Sequence, residues 1–176
     1  VVAIPKALAT SVTSAPTWAQ LVAFTLPVQF ADPTASASSR LALRSAYAAL
    51  GTSSEARIAL GAAMIRLSRT KVASEDVLYA QATAGATPAS AFPAEEAAVA
   101  AYNAANAGTR LVAAIPAGGT SAFDHPFVTV GAPSASVKAG ADALLAALQS
   151  PAGKAAVAAA GFRSGPTDAA PKVDGL

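Results

Sequence analysis

The chain of 176 residues contains no cysteine, which excludes disulfides, thiolate nucleophiles and Cys-ligated zinc. It has one histidine, so imidazole chemistry would rest on a single ring. Charge is scarce as well: 12% of residues are charged and the net charge is +2. Despite an isoelectric point near 9.2, no clustered basic face of the kind nucleic acid requires is evident, and no nucleic-acid partner is expected. Arg57, Arg66, Arg69 and Lys71 gather around one predicted helix and its exit, where a solvated face explains them. No run approaches the roughly 18 apolar residues of a spanning helix, so the chain is not expected to cross a membrane. The opening VVAIPKALA is too short, and lacks the basic leader, for a signal peptide. A start at Val1 rather than Met reads as a processed product or an excised piece.

What is abundant is alanine. Hydrophobic residues make up 53% of the chain and mean hydropathy is +0.45. Alanine favours helix but buries little surface, so a core must come from scattered Leu, Val, Ile and Phe. VVAIP reads as a strand stopped by proline. In TWAQLVAF, Thr17 and Gln20 stand at capping-box spacing, and Pro27 closes that helix. VQFADP reads as a second strand, with a turn at Asp32-Pro33. A helix is expected from about Ser38 to Leu50, with Gly51 at its C-cap. The next helix follows Thr52-Ser53-Ser54, with Leu60, Met64 and Leu67 as its apolar stripe. Ser74 can cap a shorter helix.

Further on come a brief strand before Pro93 and a helix opening on Glu95 and Glu96, acids that suit a helix N-terminus. TRLVAAIP and FVTVG read as strands on either side of a GGTSAFDHP loop. SASVKAGADALLAALQ is a helix with Leu144, Leu145 and Leu148 as its apolar residues. Ser150-Pro151 supplies a cap and a first-turn proline for the last helix, which stops at Gly161. Strands alternating with helices predict an α/β fold with a largely parallel sheet flanked by helices. Residues 1–163 are expected to form one domain, and the Pro/Gly/Asp-rich 164–176 a linker or tail.

The order of these pieces resembles a known family. The opening VVAIPK and TWAQL, then DPTASAS before a helix, SAFPAEEAAVAAYN, LVAAIPAGGTSAFDHPFVTV and DALLAALQSPAGKAAVAAAGFR are similar to bacterial extracellular solute-binding proteins of the type II periplasmic-binding fold. The branch it looks most like is often fused to a von Willebrand factor A domain. The resemblance implies lobe two of a two-lobed clamshell, followed by the strand and helices that return to lobe one, with the opening part of lobe one absent. It also implies an extracytoplasmic location, secreted or membrane-anchored in the full-length protein. The partners it implies are a small solute and either a missing lobe or another protein. Open strand edges at the missing lobe point to homodimerisation, element swapping or marginal stability.

The stretch FADPTASASSRLALRSAYAALG gathers hydroxyls at a helix start, which can hold an anion or serve only as caps. The resemblance implies that Asp32, Thr34, Ser36, Ser38 and Ser39 form a cleft wall, and that Ser90 and Phe92 lie at a second cleft-facing strand end. The expected activity is non-catalytic binding of a small polar or anionic solute. A cell-envelope scaffold with a vestigial cleft is the alternative. No catalytic residue, metal or cofactor is expected. His125 beside Asp124 lacks the spacing and the nucleophile elbow of a serine hydrolase. Gly118-Gly119-Thr120 lacks the lysine of a phosphate loop and reads as a hinge return. Trp18 and Phe162 are expected in the core.

Overall fold

The computed structural model describes residues 1–12, 14–85 and 89–165, and the expected tail lies outside them from residue 166 onward. The described residues divide into two compact units, 1–121 and 122–165. The first unit is built on a short sheet. Strand β1 (Val2–Pro5) runs straight into a four-residue helix, α1 (Lys6–Ala9). Helix α2 (Trp18–Val22) has the capping box its sequence announces: Thr17 Oγ1 accepts from the Gln20 N–H, and the Gln20 side chain accepts from the Thr17 N–H. Helices α3 (Ala37–Leu50), α4 (Ser54–Thr70) and α5 (Glu75–Thr83) follow. Strand β2 (Phe92–Pro93), α6 (Glu96–Ala105) and β3 (Leu111–Ala114) complete the unit's regular elements among the described residues.

The expectation of a largely parallel sheet is overturned. Helix predominates, and the sheet has three strands in the order β2-β1-β3, with both pairings antiparallel. The connection from β1 to β2 passes through five helices. A route that long can return the chain in either direction, so alternation of strands and helices does not dictate a parallel pairing. Among the described residues, parallel pairing survives only as isolated bridges, Val28 with Ala91, Ala31 with Val72 and Thr17 with Ala117. VQFADP is therefore an extended segment rather than a strand. Its Gln29 N–H donates to Ala91 O at 2.9 Å, and its Phe30 O accepts from the Val72 N–H at 3.0 Å.

Strand alternation sends side chains into two cores. Val2 and Ile4 point towards Trp18, Leu21, Ala42, Ala46 and Leu67, bringing α2, α3 and α4 onto one face. Ala3, Leu111 and Phe92 meet Leu78, Val99 and Tyr102 of α5 and α6 on the other. Ile4 and Leu111 are fully buried, each contributing about 1.5–3 kcal/mol relative to exposure. Trp18 is a core anchor, and its indole N–H donates to Gly119 O at 2.8 Å. Asn103 is buried beneath β3, donating from Nδ2 to Leu111 O and accepting from Leu111 N at Oδ1, both at 2.8 Å.

Three smaller expectations also change. Met64 is not in the α4 stripe: Ala56, Ala63 and Leu67 are buried while Met64 is exposed, because the core-facing row of α4 is set by these and Leu60. FVTVG is no strand; residues 127–131 have no partner segment among the described residues, and Val128 and Val130 are exposed. Phe162 is exposed rather than core, its ring edge meeting His125 at 5.6 Å between centroids. The second unit consists of this segment and two helices, α7 (Ala135–Gln149) and α8 (Pro151–Ala159). Ser150 links them, with Oγ accepting from the Gly153 N–H at 3.1 Å and Pro151 in the first turn.

Candidate functional site

The seven residues expected to touch a ligand fall at two separate places on the first unit. Five cluster where the extended segment 27–32 leads into α3. Asp32 Oδ1 accepts from the Thr34 N–H at 2.9 Å and the Thr34 hydroxyl at 2.8 Å, and Oδ2 pairs with the Lys71 ammonium. Lys71 above all, then the two Thr34 bonds, hold the Asp32 carboxyl down at about 2. Ser36 is the N-cap of α3: its Oγ accepts from the Ser39 N–H at 2.9 Å and donates to Glu75 Oε1. The hydroxyls of Ser38 and Ser39 are buried, with no hydrogen-bond partner among the described residues.

Several helix starts meet at this edge. Segment 27–32, Val72 and β2 run in parallel and lead into α3, α5 and α6. The carboxyl ends of parallel segments are where open α/β sheets place ligands. Here, however, the chain supplies its own anions, with Glu75 and Glu96 in the first turns of α5 and α6 and Glu95 at the N-cap. Tyr79, one turn along α5, is pushed well above the usual phenol range by burial and by Glu75 and Glu95. An edge with these carboxylates disfavours a further anion.

Ser90 and Phe92 lie elsewhere, on a cleft of about 340 Å³ at the other end of the sheet. That volume falls within the range of small-molecule sites. Leu78 and Phe92 give it apolar surface, while Gln29, Gln81, Ser90 and Thr109 offer neutral hydrogen-bonding groups. Two cations, Lys6 and Arg110, also line it, and no carboxylate lines it among the described residues. They are cross-strand neighbours, since Lys6 N donates to Arg110 O at 3.1 Å just beyond the Pro5–Leu111 pair. Beneath Thr109, the Tyr102 hydroxyl bonds both Thr109 and Thr83 at 3.1 Å, fixing that wall of the cleft.

Sequence reasoning missed Lys6, Gln29, Gln81, Thr109 and Arg110. A signal was present: Lys6 directly follows VVAIP, and the strand in TRLVAAIP starts after Arg110. Parallel pairing would send these to opposite ends of the sheet, whereas the observed antiparallel pairing puts them side by side. His125 makes no hydrogen bond to a serine, and no group of three or more metal-ligating side chains occurs, among the described residues. No family model, curated protein or solved structure matches the chain.

Proposed function

We propose that the chain is a non-catalytic, extracytoplasmic solute-binding module. It holds a small polar solute with an anionic group in the cleft between β1, α5 and the start of β3. One observation carries this reading: the cleft sets the Lys6 ammonium beside the neutral hydrogen-bonding groups of Gln81, Ser90 and Thr109 and the apolar Leu78 and Phe92. Coulombic attraction would orient the anionic end towards Lys6. Gln81, Ser90 and Thr109 would bond its remaining polar atoms, and Phe92 would cover its apolar part. The resemblance to extracellular solute-binding proteins supports the class of activity and the location. The opposite edge, with Asp32 tied to Lys71 and Ser36 to Glu75, serves as the internal bracing of three helix starts.

The test is a thermal-shift and calorimetric titration with inorganic phosphate, citrate and L-glutamate at low salt. A ligand at 100 times its Kd stabilises the fold by about 2.7 kcal/mol, enough to raise Tm by several degrees. At least one probe should give a saturable shift that Lys6→Glu abolishes without lowering the ligand-free Tm. Failure of every probe, or saturable binding untouched by Lys6→Glu, would remove the cleft from consideration. A second reading, a cell-envelope scaffold that binds protein, is favoured by α7 and α8, which have no buried residue, and by exposed Val128, Val137 and Leu144. It predicts that Leu144→Lys abolishes partner capture and leaves solute titrations unchanged.

A further inference from the structure

Helix α4 has apolar residues on two faces. One row, Ala56, Ala63 and Leu67, is buried. On the far side, Glu55, Ile58, Ala62, Ile65 and Arg69 follow alternating three- and four-residue steps, and all are exposed. Ile58 is 73% and Ile65 59% exposed. A helix that only covers a core presents polar residues outward. Alternating three- and four-residue steps instead form the seam along which two helices pack. Gly61 adds room at the middle, since a Cβ there would meet nothing within 4 Å.

The ends of the seam determine what fits it. Glu55 opens the row, Arg69 closes it, and Ala62 lies midway. A second α4 running antiparallel about a twofold axis beside Ala62 brings each Glu55 towards the partner's Arg69. The same operation lays Ile58 against the partner's Ile65 around the Gly61–Ala62 crossing. A parallel copy would set Glu55 against Glu55 and Arg69 against Arg69, which repel. Arg66 is turned aside, its guanidinium 4.1 Å from the Phe24 ring centroid, so it leaves the seam open.

We infer that this face of α4 is the interface of a twofold-symmetric antiparallel homodimer. It is self-complementary in both apolar shape and charge, as an isologous contact must be. About four turns of helix cover less than the roughly 800 Å² per partner of a standard stable interface, so the dimer is weak and dependent on concentration. The apolar pairs supply most of the affinity, and the exposed Glu55–Arg69 pairs set the direction.

Sedimentation velocity from low micromolar to near-millimolar concentration tests this on the full chain. The wild type should move from monomer to dimer, and Ile65→Lys should weaken association at least about tenfold with Tm unchanged, since Ile65 stands outside the core. Arg69→Glu should weaken it, and adding Glu55→Arg should restore it. Because the chain has no cysteine, Ala62→Cys supplies one thiol beside the axis and should form a disulfide-linked dimer on mild oxidation, while Arg57→Cys should not. A monomer at every concentration, association indifferent to Ile65→Lys, or equal cross-linking at both positions would each overturn the interface.

Discussion

Asn103 shows how one side chain can stand in for a strand. Its amide donates to Leu111 O and accepts from Leu111 N, completing the hydrogen bonding at the start of β3. Replacing it with leucine keeps the branched shape but leaves both backbone groups unpaired in a buried place. Asn103→Leu should cost about 2–4 kcal/mol in urea unfolding with an unchanged m-value; a loss under about 1 kcal/mol would mean that water reaches these groups. Asp32 makes a different prediction. Its carboxyl is held at about 2, below the ordinary 3.8, by Lys71 and Thr34. The charged form is favoured by folding, so its contribution is present above the ordinary value and fades as pH falls towards 2. The Tm difference between wild type and Asp32→Asn should therefore be largest near neutrality and close by pH 2. A difference that persists there would assign the effect to turn geometry instead of charge.

Helix termini were the most legible elements, because capping is local chemistry. Thr17, Ser53, Ser134 and Ser150 each accept a hydrogen bond from the first turn of the helix they start. The end of α2 was not legible. Its exit is closed by Phe24 N–H to Leu21 O and Thr25 N–H to Gln20 O, with Phe24 at φ 55 where glycine is the usual choice. Nothing in TWAQLVAF signals this, because Phe24 is held there by packing against the first core and by Arg66. The turn between α7 and α8 is equally demanding. A Cβ at Gly153 would press on Ala147 O and lie 2.6 Å from Leu148 O, both backbone atoms. Gly153→Ala should force the helices apart, at about 1–3 kcal/mol to that turn. Faster limited proteolysis near residue 150 would report it, and unchanged cleavage would show that the turn absorbs the methyl by rotating.

Across the whole first unit, the decisive feature is strand direction. Leu111 and Val2 could be recognised as strand residues from their apolar runs, yet no local property tells whether two strands lie parallel. That variable set Lys6 beside Arg110, whereas Ser90 and Phe92 lie away from Asp32–Ser39 because Val28 bridges Ala91 in parallel, which puts Ser90 level with the start of the segment that ends at Asp32. The two expected sides of one cleft are thus an acidic edge, closed by its own bonds, and a separate cleft beside Lys6. The exposed row on α4 was hidden for a related reason: Leu60, Met64 and Leu67 were read as one stripe, which left Ile58 and Ile65 without a role.

By itself the sequence determined where most helices begin, that thiol and disulfide chemistry are excluded, and that no helix is long and apolar enough to span a membrane, as the described residues bear out. These follow from caps, residue types and run lengths, which act within a few neighbouring residues. Only the tertiary structure decided that the sheet is antiparallel, which polar groups share a cleft, and which face of α4 is left bare. Those depend on contacts between residues such as Lys6 and Arg110, about a hundred positions apart, whose meeting is set by the summed burial of two cores and by no local preference.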